Sequence, residues 1–106
     1  RIYKRSPNTK VYIQTTLPIN NKLYKKLTGT FPFHEMPLPD QINQINTRLK
    51  KNESQNHYTV IDLHDIFLDG RGLLSKKHTS DGVHLNEEGY HKWSNFIKNY
   101  ISSNFL

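Results

Sequence analysis

Two short stretches of this chain are almost wholly β-branched, aromatic or aliphatic. Val11-Tyr12-Ile13-Gln14-Thr15-Thr16-Leu17, stopped by Pro18, shows little polar alternation and predicts a central strand. Tyr58-Thr59-Val60-Ile61-Asp62-Leu63 predicts a second strand. Asn21 to Leu27 reads as a short helix or turn. Thr28 to Pro39 contains Pro32, Pro37 and Pro39 and reads as a loop, with apolar side chains that pack down. Pro39 suits the first turn of a helix. Ile42, Ile45 and Leu49 then recur at offsets of three and four, an apolar stripe on a polar helix ending near Lys50-Lys51-Asn52. Asn86 is placed to cap the last helix, with Glu87 and Glu88 in its first turn. Tyr90, Trp93, Phe96, Ile97, Tyr100 and Ile101 recur along it at helical spacing and are predicted to face the core. Arg1 to Pro7 reads as the end of a helix running into a turn.

Strands that alternate with helices predict an α/β fold with a parallel sheet, the helix around 40–51 crossing between strands 11–17 and 58–63. Two strands make a poor sheet, so further strands are expected ahead of Arg1. Composition points the same way. At 106 residues the chain is at most one domain, and 34% hydrophobic residues is low for a self-sufficient core, though 11% are aromatic.

Fifteen Lys and Arg against nine Asp and Glu give a net charge of +6. That excess would suit nucleic acid if it were clustered. It is scattered instead over Lys4/Arg5, Lys22/Lys25/Lys26, Lys50/Lys51 and Lys76/Lys77, at helix ends and in loops, where the helix dipole favours cations. A solvated surface is the better reading. There is no cysteine, hence no disulfide and no thiolate metal site; a cytoplasmic and an extracytoplasmic location both stay open. The longest apolar run is far short of the roughly 18 residues a membrane span needs.

The candidate chemistry lies in Thr79-Ser80-Asp81-Gly82-Val83-His84-Leu85-Asn86-Glu87-Glu88-Gly89-Tyr90. Asp81 precedes His84 by three residues on a glycine-containing turn. An Asp that orients a His acting as proton acceptor is two thirds of a hydrolytic triad. The spacing alone also describes an ordinary turn. Its position after the second strand favours function, because open α/β sheets collect functional residues in loops beyond the carboxyl ends of strands. His78, Asp81, His84 and His91 would have to share one shell to hold a metal, and His91 is expected to face water. His34 and His57 read as surface residues and His64 as a structural hydrogen-bonding group. Thr15, Thr16 and Asn20 end the first strand and either border a pocket or serve the fold.

With its surroundings, the Asp81–His84 block resembles the last block of the SGNH hydrolases, also called GDSL esterases and lipases, and is especially similar to the bacterial acetylhydrolase and acetylxylan-esterase branch. Supporting matches are Val11 to Pro18 with Asn20 beyond, Ile45-Asn46-Thr47-Arg48-Leu49, Val60-Ile61-Asp62-Leu63 and Gly89-Tyr90-x-x-Trp93. Leu85 and Asn86 depart from the pattern, since many relatives carry Pro at one or the other. The resemblance implies a three-layer α/β/α, flavodoxin-like fold with helices on both faces of a parallel sheet. Residues 1–106 would be the C-terminal half of one such domain. It implies that His84 is the general base, that Asp81 orients it, and that Asn20 and Leu85 lie on the substrate side. The resemblance also implies that the nucleophilic Ser of a Gly-Asp-Ser-type motif, and the oxyanion-hole Gly and Asn, lie in the N-terminal half; neither motif occurs in this sequence. The implied activity is serine ester hydrolysis, removing short acyl groups such as acetyl from a small-molecule or glycan ester or a lipid, with no cofactor, metal or nucleic acid. A different class also fits: a non-catalytic basic module binding carbohydrate or nucleic acid on a degenerate form of this fold.

Overall fold

A computed structural model describes residues 10–32 and 34–105. The Arg1–Pro7 expectation lies outside the described residues. The elements in chain order are β1 (Val11–Gln14), α1 (Asn21–Thr28), α2 (Pro39–Lys51), β2 (Tyr58–Ile61) and α3 (Glu87–Phe105), with single 3-10 turns at Ser54–Asn56 and Asp65–Phe67. β1 and β2 pair in parallel, Val11 opposite Tyr58 through Gln14 opposite Ile61. The chain is thus a small α/β unit, a two-stranded parallel sheet with three helices among the described residues.

Both strands end earlier than their hydrophobic runs, and one side chain accounts for much of this. The hydroxyl of Thr15, almost wholly buried, accepts the backbone N–H groups of Leu63 (2.9 Å) and His64 (3.0 Å). A side chain has replaced the ladder there, so the chains separate. Thr16 next donates its N–H to Asn46 Oδ1 and accepts from Asn46 Nδ2, each at 2.8 Å. The carboxamide serves Thr16 as a neighbouring strand's peptide would.

That pairing corrects the predicted stripe on α2. Ile42 is 1% exposed, but Ile45 is 47% exposed, and the inward positions are Ile42, Asn46 and the half-buried Leu49. A buried polar side chain is tolerated when its hydrogen bonds are made. Ile42 packs with Ile19 and Phe31, flanked by Tyr24 and Met36. Phe31 meets Tyr24 edge-on at 5.8 Å, so the proline-rich loop does pack down. Tyr58, which shares a face with Val11 by register, donates its hydroxyl to Leu49 O at 2.6 Å.

α1 begins at Asn20, whose Oδ1 accepts Leu23 N–H at 3.0 Å, and ends at Gly29, with φ of 90°. α3 is capped as predicted, Asn86 Oδ1 accepting Gly89 N–H at 2.8 Å. Its packing is narrower than predicted. Trp93, Phe96, Ile97 and Tyr100 are half-buried, while Tyr90 (57%) and Ile101 (48%) are exposed. Two strands are narrower than the apolar stripe and cover only its centre: Tyr100 meets Tyr12 at 6.2 Å, and Trp93 Nε1 donates to Gln14 Oε1 at 2.8 Å. Among the described residues no helix is long and apolar enough to cross a membrane.

Candidate active site

The loop after β2 returns to the carboxyl end of β1 through backbone bonds from Leu74 N to Ile19 O (3.0 Å) and from Asn20 N to Gly82 O (2.7 Å). This seats the Asp81 turn over Asn20. Gly82 has φ of 90°, and a Cβ there would stand 2.3 Å from Asn20 O and 3.2 Å from Tyr24 N, so both the backbone conformation and the space call for glycine. Asn20 itself, expected on the substrate side, is fully buried. Its Nδ2 donates to Leu74 O at 3.1 Å and its Oδ1 caps α1, so its carboxamide works beneath the turn.

The turn brings Asp81 and His84 together. Asp81 Oδ1 accepts the N–H groups of Val83 and His84, both at 2.8 Å, and Oδ2 lies 2.7 Å from His84 Nδ1. One carboxylate oxygen is thereby fixed by backbone and the other faces the imidazole. A carboxylate partner on Nδ1 assigns the proton to that nitrogen and leaves Nε2 as the acceptor. Partial burial pushes the Asp81 carboxyl up, but the His84 N–H, the His84 ring and the Val83 N–H outweigh it and hold the group well below the usual carboxylate range. The His84 side chain is 76% exposed, so its free face is open. Leu85 is half-buried, and a pocket of about 300 Å³ opens beside His84, walled by Leu17, Pro18, Leu85, Tyr90 and Trp93. Such a mostly apolar hollow beside an open imidazole can hold the hydrocarbon part of a substrate while the ring handles protons.

The other histidines lie apart from this chemistry. His64 is buried, with Nδ1 2.7 Å from Asp65 Oδ1. His78 packs edge-on against Phe67 at 5.5 Å with Nδ1 buried and unbonded; burial, with Lys92, lowers its pKa and keeps the ring neutral. His91 is exposed near Glu87, and His34 and His57 are exposed. Among the described residues no three His, Asp or Glu side chains converge to hold a metal. Sequence reasoning missed Thr79. It is 3% exposed and bonded within the turn, yet a threonine beside a serine carries no signal of such a place.

No protein-family model and no curated protein matches this chain. Solved structures do. A Streptococcus pneumonia protein named for platelet activating factor superposes over 94% of this chain with a TM-score of 0.76 at 24% identity. A Bacteroides fragilis protein named as an acylhydrolase covers 96%, with a TM-score of 0.70 at 26% identity. A GDSL-like lipase from Bacteroides thetaiotaomicron covers 93%, with a TM-score of 0.68 at 24% identity. By fold, the chain is similar to these three structures, the acylhydrolase and the GDSL-like lipase among them. It spans only 45%, 46% and 45% of those three chains. The GDSL-like fold matches the resemblance drawn from the Asp81–His84 block.

Proposed function

We propose that this chain is the C-terminal half of a GDSL-type serine ester hydrolase domain and supplies the Asp–His part of its triad. The observation that carries this reading is the 2.7 Å contact between Asp81 Oδ2 and His84 Nδ1, with the carboxylate's other oxygen held by two backbone N–H groups. Coverage of less than half of each related structure supports a partial domain. The complete domain is a three-layer sandwich. Its two covering layers are supported by Tyr58, which reaches α2, and by Tyr12 and Gln14 on the alternate face, which reach α3.

In the complete enzyme, His84 Nε2 takes the proton of a serine outside this chain as that serine attacks the ester carbonyl. The imidazolium, stabilised by Asp81, then protonates the departing alcohol. In the second step His84 draws a proton from water as that water attacks the acyl-enzyme, then returns the proton to the serine oxygen as the acyl–oxygen bond breaks and the acid leaves. Asp81 keeps the ring in the tautomer that leaves Nε2 free. The substrates are esters of short acyl groups such as acetyl on a small molecule, glycan or lipid, the acyl or alcohol portion resting near Leu85.

The test is aryl acetate hydrolysis by the intact gene product, by its His84→Ala variant and by the 106-residue chain alone. Turnover is expected from the first and should fall by roughly 10²–10⁴-fold in the second. None is expected from the third, whose serines lack a nucleophile motif. Undiminished activity in His84→Ala with an unchanged melt removes the triad role of this turn, whereas no turnover from the intact gene product leaves a non-catalytic binding module ahead.

A further inference from the structure

The most thoroughly bonded hydroxyl of the Asp81 turn belongs to a residue with no role in the mechanism above. Thr79 is 3% exposed, and its backbone forms an antiparallel bridge with Leu85. Its Oγ1 lies 2.6 Å from His84 O, accepts Gly82 N–H at 2.9 Å, and stands 3.4 Å from Asp81 Oδ1. A hydroxyl has one proton, and the 2.6 Å carbonyl takes it; the longer contact to Asp81 is not a second donation. One side chain therefore holds the carbonyl of the residue bearing the imidazole and the N–H of the residue after the aspartate.

The bonds at the carboxylate leave one freedom open. Asp81 Oδ1 fixes the N–H groups of Val83 and His84, but nothing in that pair fixes how the far end of the turn folds back over the carboxylate. The Thr79 hydroxyl closes it together with the Thr79–Leu85 bridge and the Asn86 N–H on His78 O, and among the described residues it alone ties the His84 carbonyl to the strand-like segment that enters the turn. We propose that Thr79 is a positioning residue for the Asp81–His84 pair, its hydroxyl setting the geometry at which the imidazole meets the carboxylate. Its catalytic consequence rests on the ester-hydrolase reading; the positioning itself does not.

The experiment uses Thr79→Val, which keeps the shape and removes the hydroxyl, and Thr79→Ser, which keeps the hydroxyl. In the intact gene product, proton NMR follows the downfield Nδ1–H resonance of a carboxylate-bound imidazole, assigned by its loss in His84→Ala. It is expected to vanish in Thr79→Val while amide resonances outside residues 78–86 hold their positions, and to return in Thr79→Ser. In the intact gene product, Thr79→Val should lower kcat by about tenfold to a hundredfold with KM unchanged, since a misplacement of about 1 Å costs on the order of a hundredfold. Thr79→Ser should restore it. Retention of the resonance in Thr79→Val overturns the proposal, and so does its loss in a folded Thr79→Ser, which decides alone if the valine variant does not fold. If the resonances behave as expected but the intact wild-type protein cleaves no ester, the positioning role is supported and the hydrolase reading fails.

Discussion

Gly82→Ala isolates what holds the Asp81 turn in place. Two costs add at this position. At φ of 90° an alanine sits in left-handed backbone, which costs about 1–2 kcal/mol for a residue with a Cβ. The new methyl would also lie 2.3 Å from Asn20 O, so turn and helix start must part by about 1 Å to reach ordinary contact. That movement breaks the 2.7 Å bond from Asn20 N to Gly82 O, and an unsatisfied buried group costs about 1–3 kcal/mol. Gly72 supplies the control, because it has φ of 79° but nothing within 4 Å of where a Cβ would stand, and Gly72→Ala therefore carries the backbone cost alone. The difference between the two variants should be about 1–3 kcal/mol by urea unfolding, and at about 4–8 °C per kcal/mol in Tm for a chain near this size it is easily read by melting. Equal losses in the two variants would refute the clash and with it the idea that Asn20 is the seat of the turn.

Two further outcomes follow from the same bonds. Asp81 has a folded-state pKa below its unfolded value, so its contribution to stability is present above about pH 4 and is lost as pH falls through the depressed folded value; the stability gap between wild type and Asp81→Asn, measured by melting across pH, should therefore shrink on acidification, and a gap independent of pH contradicts the assignment. Asn46→Leu leaves both Thr16 backbone groups without their partner and should cost about 2–4 kcal/mol in urea unfolding, whereas Ile45→Ser at its exposed position should stay within about 0.5 kcal/mol; the reverse order restores the purely apolar stripe.

Those two residues show where periodicity misleads. Ile42, Ile45 and Leu49 satisfy a helical template, but the template ranks side chains by polarity and cannot see that Asn46 meets a strand end whose peptide needs both a donor and an acceptor. The strand limits failed for the same reason, because Thr15 reads as a good strand former while its hydroxyl replaces the ladder. Asn20 was legible as a residue at a strand's end, but whether its amide faced a substrate or the backbone was not. The parallel pairing, α2, the cap at Asn86 and the meeting of Asp81 with His84 were legible, since each depends on neighbours in sequence or on alternation of elements.

The same distinction bears on the site. Asp81 and His84 are oriented by residues 79–84 alone, and the turn is seated by Asn20 and by Asn86, whose N–H and Nδ2 reach His78 O (2.8 Å) and Lys77 O (3.0 Å). This orientation is local and complete within the described residues. The apolar stripe on α3 is the opposite case, with Tyr90 and Ile101 exposed and its middle only half-buried, so its burial depends on more sheet than β1 and β2 provide. On the proposed reading, the Asp81–His84 pair is preformed on one half of the domain, and joining the halves adds the nucleophile and more core while leaving the geometry between Asp81 and His84 as it already stands.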